Sequence, residues 1–319
     1  MTSHIVSFSE LNTVRQCSLK HQLDYIERWT KQPAKDSPLT RGTMWHAALD
    51  IHYNTIKAWQ EGNREQVPSL AKACESRVEA FLETQDPDLA DLVWWMYLGY
   101  VEKYGHDRKW KILAVEHAAQ CRLPTLTGRP SNFILKMKID LIVADISRAK
   151  PQIWVIDHKS CRNLPKGKEL DLDDQFGLYT WGLRQMGKQV FGQIHSAART
   201  ERLVKEKNAW EDRKTYEVGG VQPLDERFLR TPMARSDKEL DVLAVEAYQA
   251  FKERYRQQRE IDRANKSQRN RRFESPRSTN PDTCKWKCDK LEPCLAARRG
   301  LDLRQYLRDK EFVQDFDRH

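Results

Sequence analysis

The chain has 319 residues, 39% of them hydrophobic and 32% charged, enough for a full core beneath a highly charged surface. No apolar run approaches the roughly 18 residues that span a bilayer, so no transmembrane helix is expected. A net charge of +9 permits a polyanionic partner such as nucleic acid without requiring one. The stretch from Met1 to Ser7 lacks the basic and apolar regions of a signal peptide, so a cytoplasmic, reducing location is expected. There the seven cysteines are not read as a disulfide framework.

In chain order, Ser7, Phe8 and Ser9 offer a helix cap, followed by an amphipathic pattern through Leu11, Val14, Cys17, Leu19 and Tyr25. Gln32-Pro33 and Ser37-Pro38 mark a loop over 31–40. A helix is then predicted from about Arg41 to Trp59, with others near 68–85 and 88–104. Residues 1–105 are therefore mostly helical. Strands are predicted from Trp110 to Leu123, near 133–143 and near 153–157, with a turn at Thr125 to Arg129. A helix from about Asp171 to Gln185 ends before Gly187, and Gln189 to Ala198 reads as a further strand. This order gives an α/β core with a mixed sheet over 106–200. From about Pro223 the chain reads as helical, with Asp237 to Gln258 the clearest helix, in a C-terminal part (201–319) that carries a cysteine cluster. Ser275 to Ser278 reads as a mobile loop. The whole is taken as one domain, 1–319, without internal repeats.

The chemistry concentrates between Phe133 and Tyr179. One apolar strand ends in Asp140, and the next, Ile153 to Ile156, runs straight into Asp157-His158-Lys159. Asp-x-Lys alone is a weak signal, since it recurs at Asp107–Lys109 and Asp212–Lys214. Only the copy at 157–159 closes an apolar strand, and alternation puts Asp157 and Lys159 on one face. A hairpin would bring Asp140 beside Asp157. Two such carboxylates repel unless a cation neutralises them, and hard oxygen ligands suit Mg2+ or Mn2+. Gln175 and Tyr179, spaced i and i+4, project from one helix face. The plain alternatives are a surface ion pair, an ordinary amphipathic helix and, for His46, a satisfied helix histidine.

Taken together these residues resemble the PD-(D/E)XK nuclease superfamily, in particular the RecB-like branch with CRISPR-associated and phage-encoded exonucleases. Gly42 to His46 matches its Gly-x-x-x-His motif, Asp140 its aspartate after an apolar strand, Asp157 to Lys159 its (Asp/Glu)-x-Lys and Gln175 to Tyr179 its Gln-x-x-x-Tyr. The resemblance implies a restriction-endonuclease-like core, a mixed sheet flanked by helices. It implies that His46, Asp140, Asp157 and the carbonyl of His158 hold the metal, that Lys159 is catalytic, and that Gln175 and Tyr179 complete the site. Glu116, on the preceding strand, either faces the site or forms a salt bridge. The activity implied is metal-dependent hydrolysis of DNA, as an exonuclease on single-stranded ends in recombination, repair or CRISPR-type processing. The competing reading is a non-catalytic DNA-binding subunit that keeps the fold, against which the intact motifs speak. Some relatives form rings or work with partners, so homo-oligomers and recombination or CRISPR protein partners both stay open.

Cys284, Cys288 and Cys294 lie among polar neighbours such as Lys285, Lys287, Asp289 and Lys290, where packing does not account for three thiols. Metal ligation is the natural reading, and zinc its generic form. The resemblance implies instead a [4Fe–4S] cluster, with Cys17 as the fourth ligand from the N-terminal segment. The first spacing here is Cys-x-x-x-Cys, one residue longer than usual, and Ser18 stands where proline is common. Cys74, Cys121 and Cys161 are left to packing. The most basic stretch comprises Lys252, Arg254, Arg256, Arg259, Arg263, Lys266, Arg269, Arg271 and Arg272, which could follow a phosphate backbone or simply form a solvated helix. Trp45, Trp94, Trp95 and Tyr97 could stack on bases, though core packing suits most of them better.

Overall fold

The computed structural model describes residues 3–31, 33, 37–63, 69–200, 223–267, 273–278, 280, 282, 284 and 288–315. The elements in order begin with β1 (His4–Ser7), α1 (Phe8–Gln16), α2 (Ser18–His21), a π-helical turn (Gln22–Ile26) and β2 (Trp29–Thr30). Next come α3 (Pro38–Gln60), α4 (Leu70–Leu82), α5 (Pro87–Tyr104), β3 (Trp110–Pro124), β4 (Pro130–Asp145) and β5 (Gln152–Cys161). The remainder is α6 (Gly167–Asp171), α7 (Asp174–Gln185), β6 (Val190–Arg199), α8 (Leu224–Arg227), β7 (Phe228–Met233), α9 (Asp237–Ser267), α10 (Leu291–Arg298), α11 (Leu303–Asp309) and β8 (Val313–Gln314). Side-chain caps set several helix starts: Ser7, Ser37, Ser69, Asp86 and Asp173 each accept a backbone N–H of the first turn. Ser37-Pro38, expected in a loop, is the N-cap and first residue of α3, because proline at that position lacks only an N–H the helix leaves unbonded anyway.

The chain divides into two compact units. The larger comprises Ala34–Ala119 and Met137–Leu240. Its sheet is mixed: β4 pairs antiparallel with β5, β5 parallel with β6, and β6 antiparallel with β7, while β3 pairs with β4. Parallel neighbours need a crossover connection, and α7 supplies it between β5 and β6. β4 alternates along its length, burying Met137, Ile139, Leu141 and Val143 while Lys138 faces out and Asp140 lies on the Lys138 side. Helices α3, α4 and α5 pack their apolar faces, including Trp45, Leu49, Ile56, Val78 and Tyr97, into one core with Leu141, Ile156 and Phe228 of the sheet. Strand β7 was not expected from the sequence, which reads as helical beyond Pro223. Its six residues include Arg230 and Pro232, and proline is confined to sheet edges because it cannot donate to the ladder.

The smaller unit comprises Met1–Pro33, Gln120–Lys136 and Asp241–His319. Here β1 pairs in parallel with the start of β4, from His4 opposite Phe133 to Ser7 opposite Lys136. Phe133 stacks on Phe251 of α9 and meets Tyr248 and Tyr255 edge-on. A second apolar cluster joins Leu19, Leu23 and Trp29 to Leu303, Leu307 and Phe312. Helix α9 runs nine residues past its expected end at Gln258. Arg254, expected among the phosphate-following cations, is buried and bonded to His21, Gln258 and Ser275. Arg256 is engaged by Glu253 and Glu260. Arg269, Arg271 and Arg272, and likewise Gln32, Lys285 and Lys287, lie outside the described residues. Ser275 and Pro276, read as mobile, are tied down: Ser275 is buried and its N–H donates to Gln22, and the Pro276 carbonyl accepts from Leu19. Among the described residues no helix is long and apolar enough to cross a membrane.

Candidate active site

Five elements of the larger unit deliver the residues singled out from the sequence. His46 comes from α3, Asp140 from β4, Asp157, His158 and Lys159 from β5, and Gln175 and Tyr179 from α7, while Glu116 comes from β3. The antiparallel pairing of Leu141 with Ile156 leaves Asp140 and Asp157 as the next residues of their two strands. The carboxylate of Asp140 accepts the backbone N–H of His158 at 2.7 Å and lies 3.4 Å from Nδ1 of His46.

Lys159 Nζ donates to Asp157 Oδ1 at 3.0 Å and lies 2.7 Å from Oδ2. Gln175 closes the figure, its Nε2 donating to Asp157 at 3.1 Å and its Oε1 accepting from Lys159 at 3.3 Å. Gln175 is held at the first turn of α7, where its backbone N–H donates to the Asp173 carboxylate at 2.9 Å. Tyr179 sits one turn on and is buried. Gly42, the small residue of the Gly-x-x-x-His stretch, lets α3 lie against β5. A Cβ there would sit 3.3 Å from Ser160 Oγ.

The electrostatics follow from burial. Burial and the neighbouring Asp157 carboxylate push Asp140 well above the ordinary carboxylate range. Burial alone would lower Lys159, but the Asp157 carboxylate outweighs it and the ammonium is held more firmly charged than usual. Burial pushes the Tyr179 phenol up to about 12, with Asp157 adding to it, so it stays a neutral donor. His46 is pushed down by burial, which favours its neutral form.

Three of these groups converge tightly: His46, Glu116 and Asp140 each present one ligand atom within 4.8 Å of the other two. Both readings of Glu116 hold at once, since it also forms an ion pair with Lys138. Its backbone lies at φ +49°, a left-handed conformation inside a strand that re-aims the side chain. Asp50, one helical turn beyond His46, lines the same cavity as His46, Glu116, Asp140 and His158, and burial followed by Glu116 raises it to about 6. It was missed from sequence, where an acidic residue on an amphipathic helix carries no signal. Asp157 stands outside the trio, held by Lys159 and Gln175. The His158 imidazole is buried, stacked on Tyr53 at 5.6 Å, so only its main chain is turned toward Asp140. Trp45 and Tyr97, considered for base stacking, are core residues, and Trp94 and Trp95 pack partly against that core.

The trio, the adjacent Asp157 and the clamped lysine form a charge-dense site on the rim of a mixed sheet. Comparison with known proteins bears on its family. No curated protein matches the chain in sequence. Among solved structures, one described as a "Putative exonuclease" from Eubacterium rectale is 12% identical, covering 90% of this chain and 86% of that one at a TM-score of 0.42. Another, SSO0001, is 14% identical over 63% of this chain and 74% of its own, at a TM-score of 0.26. At these TM-scores neither likeness bears on function. The sequence profile of the PD-(D/E)XK nuclease superfamily, in contrast, matches residues 5–294, spanning every motif and the cysteine set. With its mixed, helix-flanked sheet of restriction-endonuclease-like type, the chain belongs to the PD-(D/E)XK nuclease superfamily.

Proposed function

We propose that the protein is a Mg2+- or Mn2+-dependent deoxyribonuclease, acting as an exonuclease from DNA ends with a preference for single strands. The observation that carries the reading is the closed triangle of Asp157, Lys159 and Gln175 beside the Asp140–His46 contact. His46, Asp140, Asp157 and the His158 carbonyl are the proposed metal ligands, with Glu116 joining them. The donor set fits a hard cation: it is mostly carboxylate oxygen, and the buried Asp140–Asp157 repulsion is one that a divalent ion relieves. When bound, such an ion polarises the phosphodiester and acidifies a water. Lys159, kept cationic by Asp157, stabilises charge on the phosphoryl oxygens or orients the attacking water. Gln175 fixes the rotamers of both partners, and the neutral Tyr179 hydroxyl remains available as a donor. Hydrolysis proceeds without a covalent enzyme intermediate.

Cys17, Cys284, Cys288 and Cys294 are the proposed ligands of a [4Fe–4S] cluster, with zinc as the alternative. All four belong to the smaller unit. The Cys17 sulfur accepts backbone N–H groups from Lys20 and Ser278, each at 3.4 Å, as a cluster thiolate would. Cys17 lies near enough to Cys288 and Cys294, and Cys284 near enough to Cys294, to act on them electrostatically. Both units are taken as one nuclease module, a reading supported by a family match that runs through each. Recombination, repair or CRISPR-type processing is the proposed setting.

The test is digestion of end-labelled single- and double-stranded DNA with Mg2+, Mn2+ or EDTA, on anaerobically purified protein whose visible spectrum and iron content are recorded first. Metal-dependent release of label, abolished in Asp157→Ala and Lys159→Ala, is the expected result. Folded protein that binds DNA but releases no label with either metal would replace this reading with the non-catalytic subunit. Colourless, active protein would move the cysteines to zinc.

A further inference from the structure

One side-chain group in the larger unit lies outside the proposed site and is not used by it. His52 is on α3, Cys74 on α4, and His106 follows α5 by one residue past Gly105. One ligand atom from each lies within 4.8 Å of the other two. His52 and Cys74 are wholly buried. The Nε2 of His52 and the Nδ1 of His106 are buried atoms with no hydrogen-bond partner. The two rings sit 5.6 Å apart at 33°. The thiol's hydrogen bond is a long one, 3.9 Å to the His52 carbonyl.

From this geometry we infer that His52, Cys74 and His106 form a second metal site, which takes a borderline-soft divalent cation of the zinc class. A buried nitrogen left unbonded is costly when nothing compensates it, and here two such nitrogens converge on one thiol. The other nitrogen of His52, Nδ1, lies 3.0 Å from the Tyr97 hydroxyl. A ligating imidazole donates its remaining N–H to just such an oxygen, which fixes the tautomer and turns the Nε2 lone pair toward the metal. Two imidazoles and a thiolate select zinc-like ions over Mg2+, which prefers oxygen. Arg230, which acts on His52, has its guanidinium taken up by Asp107, and the cations Arg77 and Arg108, which act on Cys74 and His106, are offset there by the acidic Glu75. Three protein ligands leave one position for water. The site shares α3 with His46 but none of its ligand atoms. Its role is to bind α3, α4 and the end of α5 together, not to cleave DNA.

The test compares wild type, Cys74→Ser and His106→Gln as full-length proteins, stripped with chelator, reloaded with zinc and analysed by elemental mass spectrometry. A Cys288→Ser control reports metal held by the other cysteine set. The expected result is loss of one zinc equivalent in each of the two site variants, additive with any loss in Cys288→Ser. A zinc-induced rise in melting temperature should also be diminished in His106→Gln. Should Cys74→Ser fail to fold, the half-buried His106 carries the comparison, with circular dichroism confirming its fold. Full wild-type zinc content and an unchanged zinc-induced shift in folded His106→Gln would overturn the inference.

Discussion

Arg230 of β7 grips the carboxylate of Asp107 through two parallel hydrogen bonds of 2.6 and 2.9 Å, between strand and helix end. The same carboxylate accepts from Tyr53, and the guanidinium lies over the rings of Tyr104 and Trp110 at 3.7 and 4.4 Å. Removing one partner strands a buried charge. Arg230→Ala is expected to cost about 3–5 kcal/mol in urea unfolding. Arg230→Lys should recover little of it, because an ammonium cannot reproduce the two-pronged contact. A loss below about 1 kcal/mol would show that the pair contributes little.

Gly42 sets how closely α3 approaches β5. Alanine would gain about 1 kcal/mol of helix propensity yet press on Ser160. Gly42→Ala is therefore expected to leave stability within about 1 kcal/mol of wild type while lowering cleavage roughly tenfold, through the shift of His46. Gly42→Val should lose both. Wild-type cleavage in Gly42→Val would remove the packing account of this motif.

The buried Asp140 is a liability in the metal-free protein. Asp140→Asn keeps the acceptor for the His158 N–H and removes the repulsion with Asp157. Unfolding in EDTA is expected to require on the order of 1 kcal/mol more for this variant, while metal-dependent cleavage disappears. Reduced stability in EDTA would contradict the electrostatic reading.

His21 gives the smaller unit a sensitivity to acid. Its Nδ1 accepts from Arg254 at 3.0 Å, so the neutral ring carries its proton on Nε2 and donates to Glu10 at 2.8 Å. Burial depresses its pKa below 6.5 despite Glu10. A depressed pKa means that the folded state resists protonation. Its stability contribution is complete above pH 6.5 and is lost as pH falls through the lower folded value. Chemical denaturation between pH 7 and pH 5 should show a falling midpoint whose slope is reduced in His21→Gln, the other buried histidines keeping the remainder.

The mixed-sheet core was legible because its strands are strongly patterned, with the candidate site residues at their ends. Apolar runs located β4 and β5, and the motif spacings singled out Asp140, Asp157, Lys159, Gln175 and Tyr179, which the fold brings into one region. What escaped lacked local signal. Asp50 is one more acidic residue on a helix, and the left-handed turn that aims Glu116 leaves no compositional trace. β1 has four residues and pairs with partners more than a hundred positions away. Cys74 reads as a small core residue until His52 and His106 are seen beside it. Arg254 looks like a surface cation from its neighbours, and only the distant His21 and Ser275 show that it is buried.

The smaller unit is assembled from three separated stretches of chain, and its hydrogen bond from Arg254 to His21 closes a loop of 233 residues. Closing such loops is slow compared with local folding. During synthesis, residues 34–240 emerge before the last strand of sequence that the smaller unit requires. Cys17 is thus made long before Cys284, Cys288 and Cys294, its partners in the proposed thiol set. On the proposed reading, any ion held by that thiol set is bound only after strands β4 and β5 have been made.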